Sequence, residues 1–262
     1  MTGAAALLAL VLVADPLDAL PGPAGATVRR GIAHHGGMAA WASKATVQFR
    51  KTTTRFGADG KADRRPTQLH RYVLHPGMQA RIEWEEDGHQ VVLINDGRQA
   101  VKLVDGKPAS APADVNQARN VTFGSHYVFN MPFKLADPGA QLAPAAPRRL
   151  PDGTRADAVR VTYAPGAGDA AGMHTWTYFF AARNGRLTAN HLTYGPGQHD
   201  YTEYHDDMVV DGITIARRRL GFGADGSRGK GPRTSEIVYE DVKFDVPLDA
   251  RLFALPKAPP TR

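Results

Sequence analysis

His89-Gln90-Val91-Val92-Leu93-Ile94-Asn95, then Asp96-Gly97, then Arg98-Gln99-Ala100-Val101-Lys102-Leu103-Val104, is the stretch whose reading decides the fold. Asp87-Gly88 precedes it and Asp105-Gly106 follows, so three Asp-Gly pairs stand nine residues apart. Such pairs suit tight hairpin turns, because both central residues tolerate positive φ and match the twist of the flanking strands. The apolar and β-branched runs between them make a strand–turn–strand meander. Five further pairs, Asp59-Gly60, Asp152-Gly153, Asn184-Gly185, Asp211-Gly212 and Asp225-Gly226, extend the pattern along the chain. The reading is one antiparallel sheet. Large sheets of this kind hold something in a cavity more often than they run multistep chemistry, although fold alone does not settle function.

Working outward, strands are expected at 46–54, 69–74, 79–86, 158–163, 174–182, 187–194, 200–210, 213–220 and 235–246; with the two meander strands that makes about eleven. Along 79–85, Ala80, Ile82 and Trp84 fall on one face and Arg81, Glu83 and Glu85 on the other. One dry and one wet face is the pattern of a sheet covered on a single side. Trp176, Tyr178 and Phe180 alternate onto one face in the same way. Val28 to Ser43 reads as one amphipathic helix, with Val28, Ile32, His35, Ala39 and Ala42 on a shared face and Met38 and Trp41 beside it. Gly36-Gly37 in its middle costs roughly 1 kcal/mol per glycine relative to alanine, and allows close approach to a sheet or a kink. Residues 114–119 open a short helix. The aromatic stretch 126–133 reads as a helix or connector leading into a loop over the sheet, and the Pro- and Ala-rich 136–151 reads as a loop.

With 262 residues the chain can bury a substantial core as a single domain. There is no cysteine, which removes disulfides, thiol nucleophiles and Cys-ligated zinc. The formal charge of +6 is carried by scattered Lys and Arg. Arg217-Arg218-Arg219 is the one tight run, and on a strand at least one of its side chains must point to each face. No aromatic–basic interleaving of the nucleic-acid-binding kind is present, so nucleic acid is not an expected partner. The apolar run 4–13 has the length of a signal-peptide core and is too short to span a bilayer, although no Lys or Arg precedes Arg29. Residues 1–26 are therefore expected to be a leader, cut after Ala14 or at Ala24-Gly25-Ala26, with 27–262 as a single domain.

Three stretches carry a resemblance. Ala33-His34-His35-Gly36-Gly37-Met38-Ala39-Ala40-Trp41 resembles the first-helix signature of a group of secreted bacterial proteins. Tyr127-Val128-Phe129-Asn130-Met131-Pro132-Phe133-Lys134-Leu135-Ala136-Asp137-Pro138-Gly139 resembles that group's middle motif. The ending from Val242 to Pro256 is similar to that of LolA/LolB-like proteins, the outer-membrane lipoprotein carrier superfamily. The resemblance implies a mainly β (α+β) fold: an open antiparallel half-barrel of about eleven strands wrapped around one main helix and a covering loop. It further implies an apolar cavity for acyl chains or other lipids, in the periplasm or medium. It carries over a fold and a ligand class, not an activity.

An acyl cavity needs apolar walls, so that transfer from water supplies affinity at ~25 cal/mol per Å² buried. The candidate walls are Val47, Phe49, Ile82, Trp84, Val92, Ile94, Trp176, Tyr178 and Phe180, with Phe129, Met131 and Phe133 as lid. The plainer alternative is that each of them packs the core. His34 and His35 point ~100° apart on a helix and are not a chelating pair. His199, Glu203 and His205 share a strand face and form a weak alternative metal site, but at strand rise the histidines stand about 20 Å apart. Gly221-Phe222-Gly223-Ala224-Asp225-Gly226 matches a nucleotide-binding pattern but lies between strands with no helix to receive a phosphate. No nucleophile elbow or metalloprotease helix stands out, so neither a cofactor nor catalysis is expected. The expected function is binding of a lipid, acyl chain or other apolar ligand by a monomeric envelope protein, with peripheral membrane contact allowed. The alternatives are a protein-interaction or sensor module with an envelope protein partner, and a metal-dependent hydrolase on the histidine-rich surface.

Overall fold

A computed structural model describes residues 16–164, 167, 174–195, 197–224 and 230–256. The apolar run 4–13, the Ala14 cleavage site and the Asp225-Gly226 pair lie outside the described residues.

The expected single first helix is two helices, α1 (Gly22–His34) and α2 (Met38–Ala42). Prolines at its start suit the first turn of α1, where the missing N–H costs nothing. Gly36 (φ +114°) and Gly37 (φ +88°) then take dihedrals that side chains rarely adopt, and the helix ends there. A Cβ on Gly36 would lie 2.2 Å from the Gly212 carbonyl oxygen, so the break also lets α1 dock against a sheet turn. The expected face continues only to His35, because the redirected α2 leaves Ala39 and Ala42 exposed and buries Trp41.

Fourteen antiparallel strands are seen among the described residues. The first arm is β1 (Thr46–Phe56), β2 (Ala62–Arg64), β3 (Gln68–Val73), β4 (Gln79–Glu86), β5 (His89–Asn95), β6 (Ala100–Val104) and β7 (Lys107–Ala109). The second arm is β8 (Ala140–Arg149), β9 (Arg155–Tyr163), β10 (Thr175–Ala181), β11 (Leu187–Gly195), β12 (Gln198–Val210), β13 (Ile213–Ala224) and β14 (Lys230–Phe244). The order β7-β6-β5-β4-β3-β1-β14-β13-β12-β11-β10-β9-β8 leaves the sheet open, with β2 paired to β1 off the path. The two meanders join where β14 pairs with β1, from Val47 opposite Phe244 to Arg55 opposite Ser235. All eleven expected strands are present; β2, β7 and β8 are additional. β8 replaces the loop expected at 136–151. Its Pro144 and Pro147 are tolerable because β8 is an edge, with a register irregularity between Ala145 and Arg148. The seven described Asp-Gly and Asn-Gly pairs all join consecutive strands. Both residues have positive φ at 87–88, 105–106 and 211–212.

The arms are connected by α3 (Pro112–Phe129) and a short 3-10 turn (Phe133–Ala136). α3 is continuous from the expected short helix through the expected connector. It runs from one free edge of the sheet towards the other and packs on β4, β5 and β6. The main core lies on the concave face, between the sheet and α1, α2 and α3. A smaller apolar cluster, including Leu150, Phe179, Tyr201 and Phe222, sits on the outer face of the second arm.

Candidate functional site

The concave face is largely filled. Ten of the twelve expected wall and lid residues belong to its single core cluster: Val47, Phe49, Ile82, Trp84, Phe129, Met131, Phe133, Trp176, Tyr178 and Phe180. Phe49 stacks on Phe129 with ring centroids 4.1 Å apart, and Phe133 stacks on Trp41 at 4.8 Å. The Phe180 ring occupies the space a Cβ on Gly31 of α1 would need. Tyr127 ties α3 to the second arm, its hydroxyl 2.6 Å from that of Tyr163 and 3.1 Å from that of Tyr178. Val92 and Ile94 are not walls. They pair with Glu83 and Arg81 and share their outer face, where Arg81 also donates to the Leu252 carbonyl of the C-terminal turn. The inward residues of β5 are Val91 and Leu93, opposite Trp84 and Ile82. Since β5 is apolar at both parities, sequence alone could not assign its faces.

The His-Gly-Gly…Trp motif is structural in this geometry. His35 Nδ1 lies 2.8 Å from the Thr214 carbonyl, and its Nε2 accepts the Leu187 N–H at 3.2 Å, so the ring pins α1 to β13 and β11. Burial pushes its pKa down to about 4, so the neutral ring donates through Nδ1. His34 stands edge-on to it, centroids 5.3 Å apart. The weak metal candidates do not converge. Glu203 is engaged by Lys230 at 2.9 Å and His205 at 3.2 Å, while His199 meets Thr193 and stacks on His191. Among the described residues, no group of three or more His, Asp or Glu is placed to hold a metal ion.

Open space flanks α3 instead. On the β5–β6 side a cleft of about 580 Å³ is bounded by Met78, Asn95, Val115, Arg119 and Phe123. On the other side a cleft of about 320 Å³ lies over β1, β3 and β4, bounded by Lys51, Arg55, Gln68 and Trp84 below and Gln117 and Val121 of α3 above. The buried residues of α3 are Ala118, Thr122 and Ser125, small and polar, followed by His126, Tyr127 and Phe129 in its last turn. Its partners are polar as well. Asn95 donates to Thr122 Oγ1 at 3.0 Å, and Lys51 Nζ donates to Ser125 Oγ at 3.2 Å.

Lys51 and Arg219 stand on the inner face of the sheet, and the sequence reading did not single them out as site residues. Lys51 follows Val47 and Phe49 at the same strand parity; burial and the nearby Arg219 push its pKa down to about 8. Arg219 is 4% exposed, its guanidinium 4.9 Å and 5.1 Å from the ring centres of Tyr204 and Tyr239. Its neighbours in the triplet face outward, Arg217 to Glu240 and Arg218 to Asp206 and Glu236. The alternation of β1 would have disclosed Lys51. Which of the three arginines turns inward depends on register, which the triplet does not encode.

No family of sequences and no characterised protein sequence matches the chain. Solved structures do. A LolA superfamily protein from Nitrosomonas europaea aligns at TM-score 0.58 and 10% identity, over 90% of this chain and 99% of that one. A DUF1329 family protein from Desulfovibrio piger aligns at 0.55 and 10%, over 89% and 98%. An outer membrane lipoprotein-sorting protein domain from Vibrio parahaemolyticus aligns at 0.53 and 9%, over 87% and 94%. At these identities the likeness is one of fold, and an open antiparallel sheet closed around three helices, matched over nearly the whole length of each of these proteins, gives this chain the LolA-like fold.

Proposed function

We propose that this protein is an exported envelope protein that takes an acyl chain or another apolar ligand between α3 and the concave face of the sheet. The observation that carries the reading is the seam under α3. The first turns of α3, held by Ala118, Thr122 and Ser125 over a sheet otherwise lined with aromatics, give up little apolar contact if they lift, while Tyr127 and Phe129 anchor the C-terminal end of the helix. The aromatic floor beneath it is the surface an acyl chain would cover. The smaller cleft beside α3 reaches Trp84 of that floor, and the larger one flanks the other side of the helix. The core is packed, so loading requires α3 to move rather than the ligand to enter a preformed hole. The mechanism is sequestration, with no catalytic group and no cofactor assigned.

The test is native mass spectrometry of protein purified from its own envelope fraction, with organic extraction of what accompanies it. A co-purifying acyl lipid is expected. Val121→Trp, which fills the smaller cleft from α3 without cutting the core, should reduce lipid occupancy several-fold and leave the melting temperature within a few degrees. Bare wild-type protein that also fails to take up added fatty acid would overturn the reading and turn attention to a protein partner.

A further inference from the structure

We propose that the cleft over β1, β3 and β4 is a site for the anionic head of an acyl ligand, a carboxylate or a phosphate monoester, with Lys51 as the direct donor, Arg219 behind it and Arg55 at the rim. The proposal rests on the apolar-ligand reading above and adds the class of ligand.

The first argument is the course of one strand. Val47, Phe49, Lys51, Thr53 and Arg55 share the inner face of β1, about 7 Å apart in succession at strand rise. The face passes from fully apolar in the core to cationic at the open end of the groove. An amphiphile with its chain under α3 and its head at the mouth meets the same sequence of environments.

Charge balance is the second argument. Moving a cation out of water costs several kcal/mol unless a counter-charge compensates. Lys51 and Arg219 lie close enough to repel each other, and among the described residues neither makes an ion pair. Lys51 Nζ has only the Ser125 hydroxyl, and Arg219 Nε, fully buried, has no hydrogen-bond partner. The two tyrosine rings flanking Arg219 offset part of its cost, but they bring no anion. The carboxylate bordering the cleft, Glu86, accepts the Trp84 indole N–H at 3.2 Å. Arg55, exposed at the rim, likewise makes no ion pair among the described residues. Two other partly buried cations are by contrast neutralised, Arg186 by Asp207 and Lys102 by Asp114. The cleft's carboxylate is thus turned to the Trp84 indole and not to Lys51 or Arg219, and an anion bound beside these two would supply their missing counter-charge.

Size is the third. A cleft of about 320 Å³ holds about ten water-sized groups, room for a head and the first few methylenes. The remainder of the chain must continue past Val121 under α3.

The test is fluorescence titration with dansyl-undecanoic acid and with its methyl ester, at neutral pH, on the wild type and on Lys51→Met. The acid is expected to bind about tenfold tighter than the ester to the wild type, and Lys51→Met should bring the acid down to the ester while leaving the ester unchanged. Equal binding of acid and ester by the wild type would overturn this proposal and leave the apolar-ligand reading standing. Binding of neither would sink both. A Lys51→Met protein that keeps the preference also overturns the proposal. Should that variant not fold, the exposed Arg55→Gln reads the same preference, and an unreduced preference there counts against the site. Palmitate and lysophosphatidate, compared as competitors of the dansyl acid, show whether carboxylate or phosphate is preferred; displacement by neither overturns the proposal. The melting temperature separates a ligand-binding lysine from a structural one. Without ligand, Lys51→Met is expected to melt higher than the wild type, because an uncompensated, partly buried cation has been removed; a lysine kept for its bond to Ser125 would melt lower on removal.

Discussion

His35 shows how much one side chain decides here. Its ring spends both nitrogens on backbone, a carbonyl of β13 and an N–H of β11, and so fixes where α1 meets the second arm. The groups around it are His34, Asp207 and Arg186, and burial outweighs all of them in holding the ring neutral. The unfolded chain takes up a proton on this residue near pH 6.5, whereas the folded protein refuses it until about pH 4. Stability from this group is therefore complete above pH 6.5 and is lost as pH falls towards 4, by roughly 3 kcal/mol in all. The urea midpoint should fall steeply across that window, and His35→Gln should flatten the fall by one proton's worth. An unchanged slope in the variant would show that other groups set the acid limit; His126, which burial pushes down to about 3, is the next to examine.

Among the elements, α3 is the one whose sequence and packing disagree with an ordinary core helix. A helix meant only to plug a sheet presents a broad apolar stripe; α3 presents alanine, threonine and serine until its last turn, where His126, Tyr127 and Phe129 are buried. That is also why the sequence reading broke it into a short helix and a connector, since no apolar period runs through 114–125. The same seam offers a lock. Asn95 and Thr122 are short side chains already in contact, on β5 and α3, in a chain without cysteine. Asn95→Cys with Thr122→Cys should, once oxidised, hold α3 against the sheet and abolish uptake of dansyl-undecanoic acid; reduction should restore it. Full uptake by the oxidised protein would mean that the ligand enters without movement of α3. The other elements follow from their sequences more directly. β4 keeps its strict alternation, and β8 keeps its prolines because an edge strand needs fewer donors.

Across the whole molecule, the packed core reaches N-terminal to residue 27. Leu20 and Ala24 are buried in the main core, and Arg29 donates to the Leu20 carbonyl. On the proposal that this protein is exported, cleavage after Ala26 would remove the first turn of α1, so cleavage after Ala14, upstream of this packing, is predicted. The intact mass of protein recovered from the envelope fraction tests this; a mature chain beginning at Thr27 would mean that α1 forms without its first turn. Much of the architecture was legible in the chain. The Asp-Gly pairs and two-residue alternation determined eleven antiparallel strands and their turns, because turn chemistry and side-chain parity are local properties. Three things were settled only by tertiary structure: which face of an all-apolar strand such as β5 turns inward, which arginine of 217–219 is buried, and how full the concave face is. Each depends on register and on what packs opposite, and neither is written in a residue's own neighbourhood.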